Sequence, residues 1–457
     1  MLPELHDPLM LRVVPLALLL PLTAALLILL PRLFALERTE NYTFYVTLTA
    51  LLGASLSCIA GGIALAVSED TLLSLSIGRW FAVGDDVFDV TLVVDKVAVG
   101  YGGFCFLVLS LVAVFSRRYV HREPGFHRFH ALLCLFAGGL ATVAFAGQLE
   151  ILILGWELVG VSSVLLIAFF NARPMPVRNA LRAFVTYRLC DTGLVVAALC
   201  LHAAGAAHAA AWPLAEVQHP TPLLAVCALG LVFAAMGKGA QVPFSGWLPR
   251  AMEGPTPSSA VFYGGLSIHL GPLLLLRAQT LLAAFPWIAA GVVLLGLLTA
   301  LHGHRTARVQ TDIKSMLAYG SVTQVGLILA EVGLGLSWIP LLHILGHAGY
   351  RTLQFLRAPS LLHDRHHLEQ MLGHHLSPLD PKVDERTLPY PRYRRALARG
   401  GLDMWLIDRA LSPLMRGVRA VDALEQRLMS VLASAVLGCA RRLHGRQARQ
   451  SENTHGV

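Results

Sequence analysis

Protonatable side chains stand inside several long apolar segments of this chain. A lysine at the centre of a membrane-spanning helix costs about 2.5 to 3.5 kcal/mol on insertion scales, so such residues are functional candidates by default. Histidine adds the ability to donate and accept a proton near neutral pH. The candidates for a chain of proton-relay groups are Glu157, Arg188, Asp191, Lys238, His269, His343, His347 and Arg351.

Lys238 has the most unusual setting of these residues. It ends a long apolar run, has a glycine on each side, and is followed five residues later by Pro243. This pattern predicts a helix that breaks at the lysine. Broken backbone at membrane depth is tolerated only where it is buried in protein or lines a wet cavity. Because an unpaired charge is so costly there, we expect Lys238 and Glu157 to pair or to change protonation state.

Helical spacing groups the other candidates. Arg188 and Asp191 share one helix face. A second row consists of His343, His347 and Arg351 at single-turn steps, which packing alone explains poorly. Two simpler interpretations stay open, namely a local structural pair of Arg188 with Asp191 and a satisfied core histidine at His269. Together the groups predict a proton path across the membrane midplane.

The composition predicts an all-α polytopic membrane protein. Hydrophobic residues make up 55% of the chain and charged residues 14%, and the mean hydropathy is +0.62. Soluble domains carry about 25% charged residues. A spanning helix needs roughly 20 apolar residues. The pattern predicts eleven spans, at 11–31, 43–67, 97–116, 129–147, 149–170, 183–204, 222–238, 257–279, 285–303, 313–333 and 337–357.

The basic residues predict the orientation of these spans. We number the connections between spans in chain order. Odd-numbered connections hold 13 Lys and Arg residues, whereas even-numbered connections hold only Arg79, Lys96 and Arg277. The excess of positive charge marks the cytoplasmic side. We therefore expect an outside N-terminus and a cytoplasmic C-terminal tail.

The chain changes character after the last span. Residues 1–357 are expected to form the transmembrane domain, 358–400 a cytoplasmic His/Pro-rich linker, and 401–457 a basic tail with an amphipathic helix. The linker histidines lack a Cys partner or an HExxH pattern, so we predict no metal site. These histidines are His363, His366, His367, His374 and His375. Cofactors, nucleic-acid binding and catalysis by this chain are not expected, since no corresponding motif is present.

Several motifs resemble those of the antiporter-like membrane subunits. That family includes the largest proton-pumping subunit of respiratory complex I and the large subunit of Mrp-type cation/proton antiporters. The resemblance covers roughly residues 85–357. It is carried by LGWELVG at 154–160, GKGAQ at 237–241, WLP at 247–249, AMEGPTP at 251–257, DIK at 312–314 and LAY at 317–319.

The resemblance implies roles for the buried residues. The Trp-Glu motif would make Glu157 the ion-pair partner of Lys238, with Arg188 and Asp191 as neighbours. His343 and His347 match the relay histidines of the family. It also implies a bacterial inner-membrane location and transport of protons or sodium ions through a bilayer-embedded subunit.

Three departures from the family pattern are informative. Tyr263 stands where a histidine is common, with His269 nearby. Arg351 replaces a lysine, and its guanidinium does not lose its proton in practice. The spans expected after Arg351, with a second broken helix, are absent from this sequence, which predicts a truncated inverted repeat.

The stretches 251–260 and 347–360 resemble one branch of the family most closely. Its members are the membrane subunits of inorganic-carbon accumulation complexes. The resemblance implies a large soluble partner that is similar to a zinc β-carbonic anhydrase, with CO2 hydration driven by a cation gradient. Two alternatives stay open: a subunit of a complex I-like, hydrogenase-like or Mrp Na+/H+ antiporter complex, and a membrane anchor that only recruits a partner.

Overall fold

The long apolar runs of the sequence fold into helices. The computed structural model describes residues 11–36, 38–68, 70–83, 86–204, 212, 219–358, 371, 391–397, 401, 416–417, 420–427 and 429–430. In chain order its labelled elements are α1 (Leu16–Leu33), α2 (Glu40–Ser68), β1 (Leu72–Val83), β2 (Asp86–Asp95), α3 (Lys96–Tyr119), α4 (Phe126–Phe145), α5 (Leu149–Ile167), α6 (Pro174–Ala203), α7 (Pro222–Lys238), α8 (Trp247–Arg250), α9 (Thr256–Ser258), α10 (Leu270–Arg277), α11 (Gln279–Ala284), α12 (Pro286–Ala307), α13 (Ile313–Gly333), α14 (Trp338–Arg357) and α15 (Pro391–Leu397).

The predicted all-α polytopic membrane fold is confirmed. Within the described ranges, eight helical segments are long and apolar enough to cross a membrane. Two shorter apolar helices, Leu16–Arg32 and Pro222–Lys238, accompany them. The eleventh predicted span is α14, a helix of 20 residues that carries two histidines and two arginines.

A β-hairpin between α2 and α3 is the feature that the sequence analysis missed. Strands β1 and β2 pair antiparallel from Leu72 opposite Asp95 to Val83 opposite Asp86. Leu73 and Leu75 alternate with more exposed neighbours, which is the period of a strand. The sequence between the strands, Gly84-Asp85, is of a type common in two-residue hairpin loops. Strands of 10 and 12 residues are shorter than the apolar runs that predict membrane spans.

The even-numbered connections meet on one face of the helix bundle. The Gly147 amide donates to the Thr91 carbonyl at 2.9 Å, and the Trp212 amide donates to the Gly147 carbonyl at 2.8 Å. On the same face, the Arg277 guanidinium forms an ion pair with Asp95 at 3.1 Å. These contacts join connections two, four, six and eight.

The odd-numbered connections meet on the other face. The Arg122 amide donates to the Glu40 carboxylate at 2.9 Å. The Thr256 hydroxyl contacts the Tyr119 hydroxyl at 2.9 Å and accepts from the Lys314 ammonium at 3.0 Å. Successive connections therefore lie on opposite faces of the bundle, as expected when each span crosses the membrane once. That the odd-numbered face is cytoplasmic stays a prediction.

The chain divides into two compact units, Met1–Gly400 and Gly401–Val457. Residues 420–427 of the tail are helical, and Val421 and Leu424 are exposed within it. Most of the predicted amphipathic helix lies outside the described residues. The five linker histidines, His363, His366, His367, His374 and His375, lie outside them as well.

Arg277 joins three elements at the even-numbered face of the helix bundle. Its side chain is 2% exposed, and it donates to the Asp95 carboxylate and to the Ala144 carbonyl, the latter at 2.7 Å. Asp95 also caps α3 by accepting from the Ala98 amide at 2.6 Å. One cation therefore joins α10, the end of β2 and the end of α4.

Removing this cation leaves a partly buried carboxylate without its counter-ion and the Ala144 carbonyl without its guanidinium donor. We expect Arg277→Gln to destabilise the protein by about 3 to 5 kcal/mol, as for other broken buried ion pairs. The apparent melting temperature in detergent, followed by circular dichroism, measures this loss. Arg79→Gln, at an exposed position of β1, is the matched control. Equal melting of the two variants would contradict the structural role.

Candidate functional site

The helix that carries Lys238 ends at that residue, as the sequence predicts. Helix α7 stops there, and the chain continues as a short 3-10 turn and then α8. A break leaves carbonyl groups without helical partners. Here the Gly237 carbonyl accepts from Trp247 Nε1 at 3.1 Å, and the Gly239 carbonyl accepts from Gln241 Nε2 at 2.8 Å. Buried side chains therefore supply hydrogen-bond donors to these two carbonyls at the break.

The ammonium group of Lys238 lies in an aromatic box. The residue is fully buried. Its Nζ lies 4.3 Å from the centroid of the Tyr187 ring and 5.1 Å from that of Trp156, and it donates to the Trp156 carbonyl at 3.3 Å. Cation–π contacts of this kind contribute about 2 kcal/mol when desolvated. A Cβ atom on Gly160 would lie 2.9 Å from Nζ, so a larger residue there would force the ammonium to shift.

Beside the box, one arginine binds two carboxylates. Arg188 of α6 forms ion pairs with Glu157 of α5 and, at 2.9 Å, with Asp191 of its own helix. Asp191 also accepts from Trp156 Nε1 at 2.6 Å. Trp156 thus touches the ammonium with its carbonyl and ring, and the carboxylate cluster with its indole N–H.

The structure corrects the expected ion pair of Glu157 with Lys238. Glu157 bonds to Arg188 instead, and within the described part of the chain no carboxylate forms a direct ion pair with Lys238. Lys238 does interact electrostatically with Asp191 and with Glu157. The reason for the difference is competition, because the guanidinium of Arg188 approaches Gly160 from the same side as Nζ and takes both carboxylates.

A second cluster joins the predicted histidines. His269 is fully buried, and its Nδ1 lies 2.5 Å from the Gly265 carbonyl. Its Nε2 lies 2.9 Å from Nδ1 of His347. The Nε of Arg351 lies 3.4 Å from Nε2 of His347. The sequence analysis left His269 open as a core histidine, and the structure places it next to His347.

These contacts fix the direction of the hydrogen bonds. A carbonyl only accepts, so Nδ1 of His269 carries the proton, and the Nε2 of a neutral His269 then accepts. His347 must donate through Nδ1 and accept Arg351 through Nε2. The resulting chain is closed at both ends by groups that do not exchange protons, a guanidinium and a backbone carbonyl. Proton transfer through it therefore requires one end to open.

His343 lies outside this hydrogen-bond chain. Its Nδ1 lies 2.9 Å from the Glu331 carboxylate and its Nε2 3.0 Å from Oε1 of Gln324. Its ring centroid is 6.4 Å from that of His347, edge to face, with no hydrogen bond between them in the described contacts. The sequence analysis missed Glu331 and Gln324. A carboxylate near the end of an apolar span was the available signal.

The helix after the break holds His269 by an irregular backbone. A π-helix at Ser259–Gly265 and a 3-10 turn at Ser267–His269 precede α10. The Leu266 carbonyl accepts from the Tyr101 hydroxyl at 3.2 Å. Tyr263, the residue in the place of the family histidine, donates to the Ser163 carbonyl at 2.6 Å. Tyr263 thus has a structural contact to α5 and lies outside the histidine chain.

A cavity lies next to the helix break and the end of α12, at the odd-numbered face. It has a volume of about 1070 Å³ and is lined by Val242 of the break loop and by His302, His304 and Arg305 of α12. His302 Nε2 lies 3.3 Å from the Ser245 hydroxyl, beside the break. His302 was not among the predicted residues, although a histidine inside a predicted span was a usable signal.

Comparison with known proteins identifies the family. Residues 146–381 match the transmembrane family described as NADH:quinone oxidoreductase/Mrp antiporter. Since this match spans more than half of the chain, the protein belongs to that family. The predicted resemblance to antiporter-like membrane subunits is confirmed at this level.

Individual relatives agree with this assignment. NAD(P)H-quinone oxidoreductase chain 5 of Picosynechococcus is 31% identical over 303 residues, covering 65% of this chain and 45% of the relative. NADH-ubiquinone oxidoreductase chain 5 of Papio hamadryas is 29% identical over 337 residues, covering 72% and 54%. A chain of the Mrp complex from Dietzia sp. matches with a TM-score of 0.64 and 26% identity, covering 75% of this chain and 37% of that one. The protein thus spans about half the length of the curated relatives.

The direction of the histidine chain is directly testable. We expect both His269 and His347 to carry their proton on Nδ1, because the Gly265 carbonyl fixes the first tautomer and the first fixes the second. Nitrogen chemical shifts of 15N-histidine-labelled protein report the protonated ring nitrogen. His269→Gln and His347→Gln variants assign the signals, and His304→Gln is the control. A proton on Nε2 of either residue would contradict the hydrogen-bond order.

Proposed function

We propose that this protein is the cation-translocating, energy-coupling subunit of a two-component inorganic-carbon uptake complex, and that the cation is the proton. In this proposal it corresponds to DabB, and its partner is a large soluble DabA-like subunit that resembles a zinc β-carbonic anhydrase. The chain itself transports and does not catalyse. Zinc and CO2 hydration belong to the partner.

One observation carries the transport part of the proposal. Lys238 is fully buried at a helix break, no carboxylate of the described residues bonds to it directly, and it lies next to a cluster in which Arg188 holds Glu157 and Asp191. An anchor has no reason to bear the desolvation cost of such groups. A buried amine beside exchangeable carboxylates can gain and lose its proton as its partners change.

The geometry suggests how charge moves. Protons reach the break from the odd-numbered face through the cavity that His302 lines. Transfer of Glu157 or Asp191 from Arg188 to Lys238 favours the ammonium, and return of the carboxylate to Arg188 favours release of the proton. His269 and His347 receive the proton when their chain opens at the Gly265 carbonyl or at Arg351.

The assignment to carbon uptake is supported by sequence motifs. The stretches 251–260 and 347–360 resemble those of DabB, including Arg351 in place of a lysine. Arginine does not release its proton in practice, so it suits a path that ends in coupling to a partner. The basic odd-numbered face, which we expect to be cytoplasmic, offers a surface to a soluble subunit.

The second candidate is a subunit of a complex I-like, hydrogenase-like or Mrp Na+/H+ antiporter complex. The names of the relatives favour it, since they are quinone oxidoreductase subunits and a chain of an Mrp complex. The same ion-handling residues would serve either assembly. The partner decides between the two candidates.

Neutralising the switch tests the transport function. We expect Lys238→Ala and Glu157→Gln each to abolish bicarbonate accumulation in cells, while the complex still assembles. The reason is that the first variant lacks the amine, and the second lacks one of the two carboxylates that Arg188 holds beside Lys238. Lys96→Ala, at an exposed lysine, is the control. Normal bicarbonate accumulation in both the Lys238→Ala and the Glu157→Gln variant would contradict the proposal.

Replacing a glycine beside Lys238 tests the same function without removing a charge. Gly160→Ala places a methyl group 2.9 Å from the Lys238 ammonium position, so the ammonium must shift relative to the aromatic rings. The variant is expected to lose most of its accumulation activity. Gly100→Ala, where an added Cβ meets no atom within 4 Å, is the control.

Affinity purification of the tagged chain from its native membrane tests the identity of the complex. We expect one large soluble protein that carries zinc, measured by metal analysis of the purified complex. Several small membrane subunits without zinc would instead support the respiratory or Mrp candidate and overturn the carbon-uptake assignment.

A further inference from the structure

A basic cavity lies at the odd-numbered face, between the start of α2 and the end of α3. Its volume is about 1010 Å³. Both helices are candidate membrane spans that end at this level, so the cavity lies where phospholipid headgroups would be. Its lining includes Glu40, Asn41, Phe44, Arg117, Arg118 and Tyr119.

Arg117 is held in place at the cavity wall. Its guanidinium lies 4.6 Å from the Phe44 ring centroid and 5.6 Å from that of Tyr45. It donates to the Asn41 side-chain oxygen at 3.0 Å. A guanidinium held this way loses little entropy when it binds an anion, and it forms bidentate bonds with phosphate.

Arg118 supplies a second cation at the rim. It is exposed, and within the described contacts its guanidinium has no hydrogen bond or ion pair. The one carboxylate in the lining is already occupied, since Glu40 bonds to His121 Nδ1 at 2.6 Å and accepts the Arg122 amide at 2.9 Å. The cavity is therefore cationic.

The surface of α3 below the cavity is apolar. Leu107, Leu111 and Val114 are 57%, 61% and 51% exposed. They follow one another at helical spacing and lead to Arg118 on the same face. A molecule with an anionic head and a long apolar tail matches this order of surfaces, whereas an acidic peptide would leave the apolar stripe uncovered.

We infer that this cavity is a binding site for an anionic phospholipid. The phosphate lies between Arg117 and Arg118, and an acyl chain follows the stripe of Leu107, Leu111 and Val114. The cavity lies next to the segment that follows α8, because Tyr119 of its lining hydrogen-bonds to Thr256. This inference does not depend on the proposed transport function.

Lipid binding to the full chain tests the site. The purified protein is titrated with phosphatidylglycerol in detergent, and bound lipid is counted by native mass spectrometry. We expect Arg117→Gln/Arg118→Gln to weaken the tightest phosphatidylglycerol site about 30-fold, the equivalent of two basic residues at an anionic surface. Arg117→Lys/Arg118→Lys should restore much of the affinity, which separates loss of charge from misfolding.

Matched controls separate this site from general surface charge. Arg173→Gln/Arg178→Gln removes two exposed arginines on the same face outside the cavity, and it should keep the tight site. Phosphatidylcholine and inorganic phosphate should bind at least tenfold more weakly than phosphatidylglycerol. Equal affinity of the Arg117/Arg118 variant and the wild type, or equal binding of inorganic phosphate, would overturn the inference. Binding of an acidic peptide of a soluble partner at this cavity, without tight binding of phosphatidylglycerol, would overturn it as well.

Discussion

The burial of one ammonium group at the end of a helix sets the conditions for the rest of this structure. A charge without water must be met by oxygen atoms, aromatic rings or other charges. Helix α5 supplies the Trp156 carbonyl and ring and leaves Gly160 bare, while α6 supplies Tyr187. The two helices and α7 must therefore lie close together, and little else can occupy the space between them.

Close packing of α6 and α7 follows from small residues. A Cβ atom on Gly193 or on Gly230 would collide with the backbone of the facing helix. Small residues at facing positions let helices approach in a membrane, where the hydrophobic effect does not drive them together. This contact lies two residues after Asp191, so it helps to fix the carboxylate relative to the lysine.

The two polar clusters differ in their balance of positive and negative charge. Around Lys238, two cationic side chains face two carboxylates. In the histidine cluster, Arg351 is buried, and its one hydrogen-bond partner among the described residues is His347. The first cluster can exchange partners without a net change of charge. The second holds a fixed positive charge, the Arg351 guanidinium, beside two histidines.

Much of this arrangement could be predicted from the sequence. The lengths of the apolar runs predicted the spans, and Gly237-Lys238-Gly239 predicted the end of helix α7. The i,i+4 spacing of His343, His347 and Arg351 placed them along one helix. Contacts between helices could not be predicted in this way, because periodicity describes one element at a time. Hence the bond of Glu157 to Arg188, the bond of His269 to His347 and the role of the Trp156 side chain required the structure.

Trp156 gives the protein a built-in optical probe. Its indole ring lies beside the Lys238 ammonium and donates its N–H to Asp191, so both charges act on the same chromophore. A change in the charge of either group alters the electric field across the ring and shifts its fluorescence. A difference spectrum against a Trp156→Phe variant isolates this signal from the other tryptophans. The charge states of Lys238 and Asp191 can then be followed in real time, without any added label.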